Sequence, residues 1–482
     1  MIGQLSPPSP ATAAPPPGRR MSQKAAVSVV FVAAMFMNIM DITIVNVALP
    51  AIGRQFDVTE ASLDAVATGY LVSLAVFIPA AGYLGDRFGS KRILLLAIGV
   101  FTAASVLCGL AGSLGALVAC RVLQGAGSGL MTPVGMAMLY RAFPPSERLR
   151  AASILTIPTA VAPALGPVLG GALVTGLSWR WVFFVNLFIG VAAFVFGLLV
   201  LREERQKRPG RFDLAGFALS GTGFAAVMYG VSQGPGVGWR HPQILGCIVA
   251  GTAVLAVLVR VELRSAAPLL RLRLLGNRLF RSTSAAMAVG TAAFLGALFV
   301  IPLFFQLGLG LTPLQSGLNT LPEALGVVIG AQVGSRVLYR RLGPRRLIVC
   351  GLTGVAGSIA LMALIGSRTD LGWMRLLMLG MGLAMGQVVV STQAATFATV
   401  SPADTGHASS LFAMSRQLGS AAGIALLATV FTAVGTTHTI AGRTAPNLTA
   451  YHAAFLVAAF VAVLAVLPAL TVRDADAAGA VL

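Results

Sequence analysis

The chain has 482 residues, of which 57% are hydrophobic and only 10% are charged, and its formal net charge is +19. A mean hydropathy of +0.87 excludes an ordinary soluble globular protein. Apolar runs long enough to cross a bilayer as helices, about 20 residues each, recur along almost the whole sequence, and the bases lie in the short segments between them. The sequence therefore predicts an all-α polytopic membrane protein embedded in lipid, and the positive charge indicates topology rather than a nucleic-acid partner.

The N-terminal segment MIGQLSPPSPATAAPPPGRR is rich in proline and poor in residues that build a core. We predict a disordered cytoplasmic tail over residues 1–24. No small-residue cleavage site follows the first apolar run, so the segment does not resemble a secretory signal. Met21 is an alternative start to Met1.

Fourteen membrane spans are predicted from the apolar runs. They cover about residues 26–48, 64–84, 93–111, 115–138, 150–173, 181–200, 212–232, 243–261, 282–306, 316–337, 347–366, 373–396, 407–433 and 452–471. Clusters of Arg and Lys occupy both the N-terminal tail and nearly every second connection, which by the positive-inside rule places both termini in the cytoplasm. The connection 397–406 should also be cytoplasmic, yet it has no base.

Two charged residues lie in the outer halves of spans 1 and 4. Asp41 and Arg121 should lie at similar depth, and a charge at the bilayer centre costs about 2.5–3.5 kcal/mol on insertion scales. We expect them to face one cavity and to interact, so that Arg121 keeps Asp41 ionised until a proton or a cationic substrate displaces it. A static ion pair that fixes helix packing is the alternative.

The connection between spans 2 and 3 reads GYLGDRFGSKR. Its glycines allow a tight turn, and Asp86 can accept hydrogen bonds from the exposed N–H groups at the start of a neighbouring helix. The bases Arg87, Lys91 and Arg92 can pair with Asp86 or with anionic lipid. A solvated loop that only obeys the positive-inside rule is the alternative.

Span 5 carries a series of prolines and glycines, namely Pro163, Gly166, Pro167, Gly170 and Gly171. Proline removes a backbone donor and glycine permits close approach. A bent, tightly packed helix that acts as a hinge and blocks ion leak is one interpretation, and ordinary small-residue packing is the other.

The second half of the chain has fewer polar residues within its spans. Glu323 follows Pro322 in the outer half of span 10, where it would bind a cationic substrate or carry a proton, or else reach the outer surface. Arg416, in span 13, would pair with Glu323 or reach the inner surface. The candidate residues of a substrate cavity are Asn38, Asn46, Gln124, Asn319, Gln393 and Arg416, although polar residues of this kind also form ordinary helix–helix hydrogen bonds.

Enzymatic chemistry finds no support in the sequence. The four cysteines are far apart within apolar runs, and the four histidines are scattered, so neither a metal site nor a paired haem site is expected. None of the three lysines, Lys24, Lys91 and Lys207, lies in a glycine loop that could bind phosphate. We therefore expect no cofactor, no metal and no enzyme activity; a non-transporting sensor remains an alternative.

Several motifs together resemble the major facilitator superfamily. The G-x-L-x-D-R-x-G-x-K-R pattern of residues 82–92 resembles its signature loop, RVLQGAGSG (121–129) its second motif, and APALGPVLGG (162–171) its antiporter motif, with Ala162 in place of the first glycine. MDITIVNVALP (40–50), WRWVFFVN (179–186) and FDLAGFALSGTGFAAVMYGVSQG (212–234) are similar to the drug:proton antiporters with fourteen spans. YRRLGPRR (339–346) repeats GDRFGSKR in the second half, with Arg340 in the place of Asp86.

The resemblance implies two pseudo-symmetric six-helix bundles plus two extra helices. The expected domains are the tail 1–24, an N-terminal bundle 25–201, two additional helices with their linkers 202–280, a C-terminal bundle 281–472 and a cytoplasmic tail 473–482. The signature loop would be a conformational latch formed by Gly82, Asp86, Arg87, Gly89, Lys91 and Arg92. Asp86 would face the start of span 13 near Gly406 and His407 and hold the bundles together on the inside.

The resemblance also implies a function. The chain would be a monomeric proton-coupled exporter of small amphipathic drugs or antibiotics in a bacterial inner membrane, with Asp41, Arg121 and Glu323 in the proton-coupling path. A transporter of one specific metabolite with the same fold is the alternative.

Overall fold

The computed structural model describes residues 21–58, 60–203, 212–265, 268–367, 370–435, 437–440 and 443–476. Most of both predicted tails and the basic segment 204–211 lie outside these ranges. The α-helices in the described residues are α1 (Gln23–Phe56), α2 (Glu60–Phe88), α3 (Ser90–Leu110), α4 (Leu114–Ala142), α5 (Arg148–Gly176), α6 (Trp181–Val200), α7 (Leu214–Val237), α8 (Pro242–Arg264), α9 (Arg278–Leu303), α10 (Pro313–Val333), α11 (Tyr339–Met362), α12 (Leu371–Ala398), α13 (Thr405–Val434) and α14 (Leu448–Leu470).

Most helices are longer than the predicted spans because they continue past the hydrocarbon to polar capping residues. Ser22 accepts a hydrogen bond from the Ala25 N–H at the start of α1, and Ser113 accepts from the Ala116 N–H at the start of α4. Thr312 and Gln315 form a reciprocal capping box before α10. A hydropathy window detects only the apolar middle of such a helix, so the predicted boundaries fall short of the caps.

Twelve helical segments in the described part of the chain are long and apolar enough to cross a membrane, and counting a bent pair within α5 raises the number to thirteen. One of the twelve, Leu314–Met362, runs through both α10 and α11. The all-helical membrane-protein prediction is therefore confirmed, whereas the number fourteen stays a prediction.

The helices pack as two groups. Helices α1–α6 pack against one another, and so do helices α9–α14. Helices α7 and α8 form a hairpin, of which α7 contacts both α2 and α13. Between the groups, α2 and α4 contact α13, and α5 contacts α10 and α12. We call α1–α6 the first group, α9–α14 the second group, and the end that carries the base-rich connections the inner end.

One short sheet departs from the all-α expectation. Strands β1 (Thr437–Ile440) and β2 (Arg443–Pro446) form an antiparallel hairpin between α13 and α14. The sequence predicts only a connection between spans 13 and 14 at this position. The hairpin adds no layer to the helical packing.

The two repeated turns share an unusual backbone conformation. Gly89 has φ 103° and Gly343 has φ 75°, values that favour glycine. In each turn the N–H two residues later donates to an acid from the end of the same group. Lys91 N–H donates to Glu203, and Arg345 N–H donates to Asp474. The sequence repeat between residues 85–92 and 339–346 is therefore also a repeat of backbone geometry and of helix capping.

Candidate functional site

A buried ion pair joins α1 to α4. The Arg121 Nη1 atom lies 2.5 Å from the Asp41 Oδ2 atom, and the two side chains are 2% and 0% exposed. Arg121 also donates to the Gln124 side chain at 2.6 Å and to the Val66 carbonyl at 3.2 Å. The Tyr70 ring centroid lies 4.2 Å from the guanidinium carbon. The guanidinium charge is thus neutralised on its edge and covered on one face, as a desolvated arginine requires.

The second carboxylate oxygen of Asp41 is held by amides. Its Oδ1 atom accepts from Gln124 Nε2 at 2.8 Å and from Asn186 Nδ2 at 2.9 Å. Gln124 Nε2 also donates to Ser105 Oγ at 2.6 Å. Ser105, Gln124 and Asn186 lie on α3, α4 and α6, respectively. The amide donors satisfy this carboxylate oxygen in a place that water does not reach.

A second polar cluster continues this network toward the inner end. Asn38 accepts hydrogen bonds from Tyr70 OH and Ser128 Oγ, both at 2.7 Å, and donates to Thr132 Oγ1 at 3.2 Å. Tyr70 touches both clusters, because its ring covers Arg121. Asn38 and Gln124, predicted as cavity residues, therefore lie in hydrogen-bonded networks inside the first group.

Sequence reasoning missed five members of these networks, namely Tyr70, Ser105, Ser128, Thr132 and Asn186. Asn186 ends the WRWVFFVN motif, which signalled it without assigning it a partner. Ser105 and Tyr70 carried no signal, since a single hydroxyl in an apolar helix is compatible with many packing positions. The predicted interaction of Asp41 with Arg121 is present, but both side chains are enclosed within the first group.

Glu323 is a second buried acid. It is 5% exposed, and no hydrogen bond or ion pair of its side chain occurs among the described residues. Its backbone packs so closely on α12 that a Cβ at Gly382 would collide with the Glu323 carbonyl oxygen. Arg416 is partly buried in α13, and no ion pair between Arg416 and Glu323 occurs in the described ranges.

The remaining predicted cavity residues lie in different places. Asn46 is exposed on α1. Asn319 is bonded within the second group, where it accepts from Arg375 Nε at 2.7 Å. Gln393 lies near the inner end of α12 and accepts from Tyr140 OH at 3.5 Å across the two groups. The structure therefore does not bring the six predicted cavity residues together into one lining.

The inner ends of the two groups meet at the signature loop. The Gly82 N–H donates to Ser410 Oγ at 3.1 Å, and a Cβ at Gly82 would lie 2.5 Å from the Gly406 carbonyl oxygen. Asp86 approaches Gly406, as predicted, but its ion-pair partner is Arg141 of α4, with Nη2 2.6 Å from Oδ1. Arg141 in turn donates to the Pro402 carbonyl of the second group at 3.2 Å.

Two other bases of the loop, Lys91 and Arg92, contact groups other than Asp86. Lys91 Nζ donates to the Leu198 carbonyl at 2.7 Å, and Arg92 lies 3.5 Å from Glu203. Pairing of these two bases with Asp86 is therefore wrong. The reason is geometric, because the turn at Gly89 directs the start of α3 toward the end of α6.

Arg148 adds a second connection at the inner ends. Its guanidinium donates to the Phe397 carbonyl, to the Ala398 carbonyl at 3.1 Å and to the Val400 carbonyl at 3.4 Å. These carbonyls terminate α12, where a cation also matches the helix dipole. Tyr140 stacks on Phe397 with 4.2 Å between ring centroids. The inner contact, defined by Gly82, Asp86, Arg141, Arg148 and their partners in residues 397–410, thus joins helices of both groups.

The glycine series of α5 packs on α1. A Cβ at Gly166 would collide with the Thr43 side chain, and one at Gly170 would meet Ile44. The helix bends by 41° between Arg148–Pro163 and Val168–Gly176. Thr43 and Ile44 follow Asp41 on α1, so the α5 contact lies at nearly the same level along α1 as the buried ion pair.

Comparison with known proteins agrees with this architecture. A family model described as Major Facilitator Superfamily matches residues 31–424. The multidrug resistance protein B homolog of Mycobacterium tuberculosis (strain ATCC 25618 / H37Rv) is 32% identical over 410 residues, which are 84% of this chain and 75% of that protein. The tetracenomycin C resistance and export protein of Streptomyces glaucescens is 32% identical over 394 residues, 82% of this chain and 73% of that protein.

A solved structure has the same fold. The crystal structure of the human organic anion transporter MFSD10 superposes with a TM-score of 0.65 at 17% identity, and the match covers 94% of this chain and all of that one. With a family match over most of its length and bacterial relatives at about one-third identity, this multi-pass membrane protein is a transporter and not an enzyme. It belongs to the Major Facilitator Superfamily.

Proposed function

We propose that the chain is a proton-coupled secondary exporter of small amphipathic drugs or antibiotics that works by alternating access. The observation that carries this proposal is the enclosed ion pair of Asp41 and Arg121, which are 0% and 2% exposed. A charge pair in a membrane protein rarely repays its desolvation by packing alone. The pair would have a function in transport if the Asp41 carboxylate binds a proton and then releases Arg121.

The proposed cycle alternates between two states of Asp41. While Asp41 is ionised, Arg121, Gln124 and Asn186 hold it in the first group. Protonation from the outside removes the charge that attracts Arg121, and the donors around the carboxylate then rearrange. This rearrangement would be transmitted to the α1–α5 contact at Gly166 and then to the inner contact.

The driving force is adequate for export. About 100 mV contributes ~2.3 kcal/mol per charge, and one pH unit adds ~1.4 kcal/mol. One proton could therefore sustain a gradient of roughly a few hundredfold for a neutral substrate. The relatives' printed names, multidrug resistance and tetracenomycin C export, support this substrate class for the present chain.

The proposed architecture has fourteen spans in two six-helix bundles, 25–201 and 281–472, with α7 and α8 as the additional pair within 202–280. Leu314–Met362 has 49 residues, which as one helix would be over twice the ~30 Å hydrocarbon thickness. The turn at Gly343 allows it to cross twice. The shared turn geometry of Gly89 and Gly343 supports duplication of the bundles.

The clustering of bases at the inner end supports an inner-membrane orientation with both termini in the cytoplasm. The first and second groups contain all the proposed working parts, so we expect a monomer to suffice. The proton-coupling role of Glu323 is proposed on its burial in the second group.

The first test is proton-coupled transport in energised inside-out vesicles. We expect an added substrate from a panel of lipophilic cations and antibiotics to release protons from the vesicle lumen, as followed by an acid-sensitive dye. Vesicles without the protein provide the baseline. No response to any member of the panel would count against drug export and favour the metabolite transporter.

Loss of the Asp86–Arg141 ion pair should slow transport. Asp86→Asn should slow transport about 10–150-fold, because a charge-assisted hydrogen bond contributes about 1.5–3 kcal/mol. Arg141→Gln should slow it at least as much, because it also removes the bond to the Pro402 carbonyl. The double variant should be no slower than Arg141→Gln alone, since the loss of Arg141 already removes the interaction with Asp86. Expression and membrane insertion should be unchanged.

The matched control for this pair is Lys24→Gln. Lys24 forms an ion pair with Glu147 at 2.7 Å near the inner end, but both residues belong to the first group and are more exposed. Its loss should leave transport intact. If Lys24→Gln slows transport as much as Asp86→Asn does, the effect is not specific to the inner contact.

A further inference from the structure

Two carboxylates meet where the α7–α8 hairpin reaches its inner end. Asp213 caps α7 by accepting from the Gly216 N–H at 2.7 Å through Oδ1. Glu262 of α8 is 3% exposed and accepts from the Leu270 N–H at 3.2 Å through Oε2. Each acid therefore uses one oxygen as a hydrogen-bond acceptor for the backbone.

The other oxygens of the two acids lie around the same glycine. A Cβ at Gly216 would lie 2.5 Å from Glu262 Oε1 and 2.8 Å from Asp213 Oδ2, so the two oxygens are at most about 5.3 Å apart. Both atoms are buried, and neither accepts a hydrogen bond from a residue that the structure describes. Two ionised carboxylates in this arrangement would repel each other without any compensating donor.

One proton resolves this arrangement. A proton on either oxygen removes one charge, and it lets that oxygen donate to the other once the two side chains close to hydrogen-bond distance, which satisfies both atoms. A metal ion fits less well, because no group of three or more potential ligands among His, Cys, Asp and Glu occurs in the described ranges.

We propose that Asp213 and Glu262 share one proton and form a proton-binding site at the inner end of the α7–α8 hairpin. The site is separate from the Asp41–Arg121 pair and lies on helices outside both groups. Its existence does not depend on the exporter function.

The site is connected to the inner contact by a short path. Leu270, which donates to Glu262, follows Leu269, whose carbonyl lies 3.0 Å from His407 Nδ1 at the start of α13. The next residue, Arg271, forms an ion pair with Asp404, which precedes α13. Residues 269–271 therefore lie between the carboxylate pair and the part of α13 that touches the signature loop.

The charged groups around the pair have other partners or are exposed. Arg271 is bound to Asp404, and Asp86 of α2 is bound to Arg141. Arg264 on α8 and Arg273 in the following turn are exposed. His407 contacts the backbone of Leu269 rather than the acids. No base among the described residues thus neutralises the pair in place of a proton.

The consequence is a dependence of the inner contact on cytoplasmic pH. With the proton bound, the pair is attractive and Glu262 holds Leu270 in place. Loss of the proton at high pH leaves two like charges, which push Glu262 from Asp213 and loosen residues 269–271 beneath α13. The inner contact should therefore weaken as the pH rises.

Infrared spectroscopy of the purified full-length protein tests the shared proton. The Glu323→Gln background is used, so that Glu323, which is buried without a described ion-pair partner, does not contribute to the carbonyl stretch of protonated carboxyl groups. We expect Asp213→Asn and Glu262→Gln each to remove the same one-proton intensity, and the double variant to remove no more. Glu147→Gln, at an acid paired with Lys24, should remove none.

The contrary outcomes are equally defined. Intensity losses that add in the double variant would mean that the two acids each carry their own proton. No loss in either single variant would mean that both acids are ionised. Both results overturn the proposal.

Hydrogen exchange tests the connection to the inner contact. After correction for intrinsic rates, protection of residues 268–276 should fall with rising pH in the wild type but not in the double variant. Equal behaviour of the two proteins would overturn the link to the inner contact.

Discussion

Replacing Asp41 with asparagine should abolish substrate-dependent proton release while leaving substrate exchange across the membrane. Asparagine keeps the size of the side chain and can still bond Gln124 and Asn186, but it cannot bind and release a proton. Coupling therefore fails even if the substrate site is intact. The measurement is proton release in energised inside-out vesicles, together with counterflow of labelled substrate without a proton gradient.

This substitution also leaves Arg121 buried without its counter-ion, which typically costs about 3–5 kcal/mol of stability. A double variant, Asp41→Asn with Arg121→Gln, separates the two effects because it removes both charges. We expect the double variant to recover most of the thermal stability of the wild type but none of the proton coupling. If coupling returned with stability, the pair would be a packing element, and Glu323 would become the leading proton carrier.

The interaction of Asp41 with Arg121 could be predicted because depth in a membrane follows from residue count along a regular helix. Each residue advances an α-helix by about 1.5 Å, and two intramembrane charges of opposite sign at one depth need each other. The side of the helix was harder to predict. Helix α6 is apolar around nearly its whole circumference, so nothing in its composition indicated that Asn186 faces Asp41.

The inner contact was predicted in place but not in its chemistry. The glycine and acid pattern of residues 82–92 located it beside Gly406, and the close approach of Gly82 agrees with that. Asp86 forms an ion pair with Arg141, and the α12 carbonyls accept hydrogen bonds from Arg148. In the sequence these two were ordinary positive-inside bases, since topology alone explains an arginine in a connection.

The acids that cap repeated turns, and the pair at Asp213 and Glu262, were missed for a related reason. Each of these contacts forms only when residues that are distant in the sequence meet. Glu203, after α6, for example contacts Lys91 at the start of α3. The repeat in residues 85–92 and 339–346 predicted similar turns but carried no information on what capped them. Tertiary packing supplied the partner in both halves.

Substituting alanine for Gly82 should open the inner contact and reduce transport sharply. The added Cβ would lie 2.5 Å from the Gly406 carbonyl oxygen and 3.0 Å from the His407 backbone nitrogen. Backbone atoms at the start of a helix cannot move aside as a flexible side chain can. Overpacking of this kind costs about 1–3 kcal/mol, which corresponds to roughly 5–150-fold in the ratio of closed to open molecules.

Thiol labelling provides the measurement and Gly85→Ala the control. Ser410→Cys, in a background without the four native cysteines, lies in the contact and should react faster in inside-out vesicles when Gly82 is replaced by alanine. At Gly85, one helical turn away, a Cβ would meet only side-chain atoms at 3.6 Å or more, so the same substitution should change neither labelling nor transport. Equal labelling of the two variants would mean that the Gly82–Gly406 approach does not close the inner side. A slow Gly82→Ala transporter whose introduced thiol stays protected would instead place its defect elsewhere in the cycle.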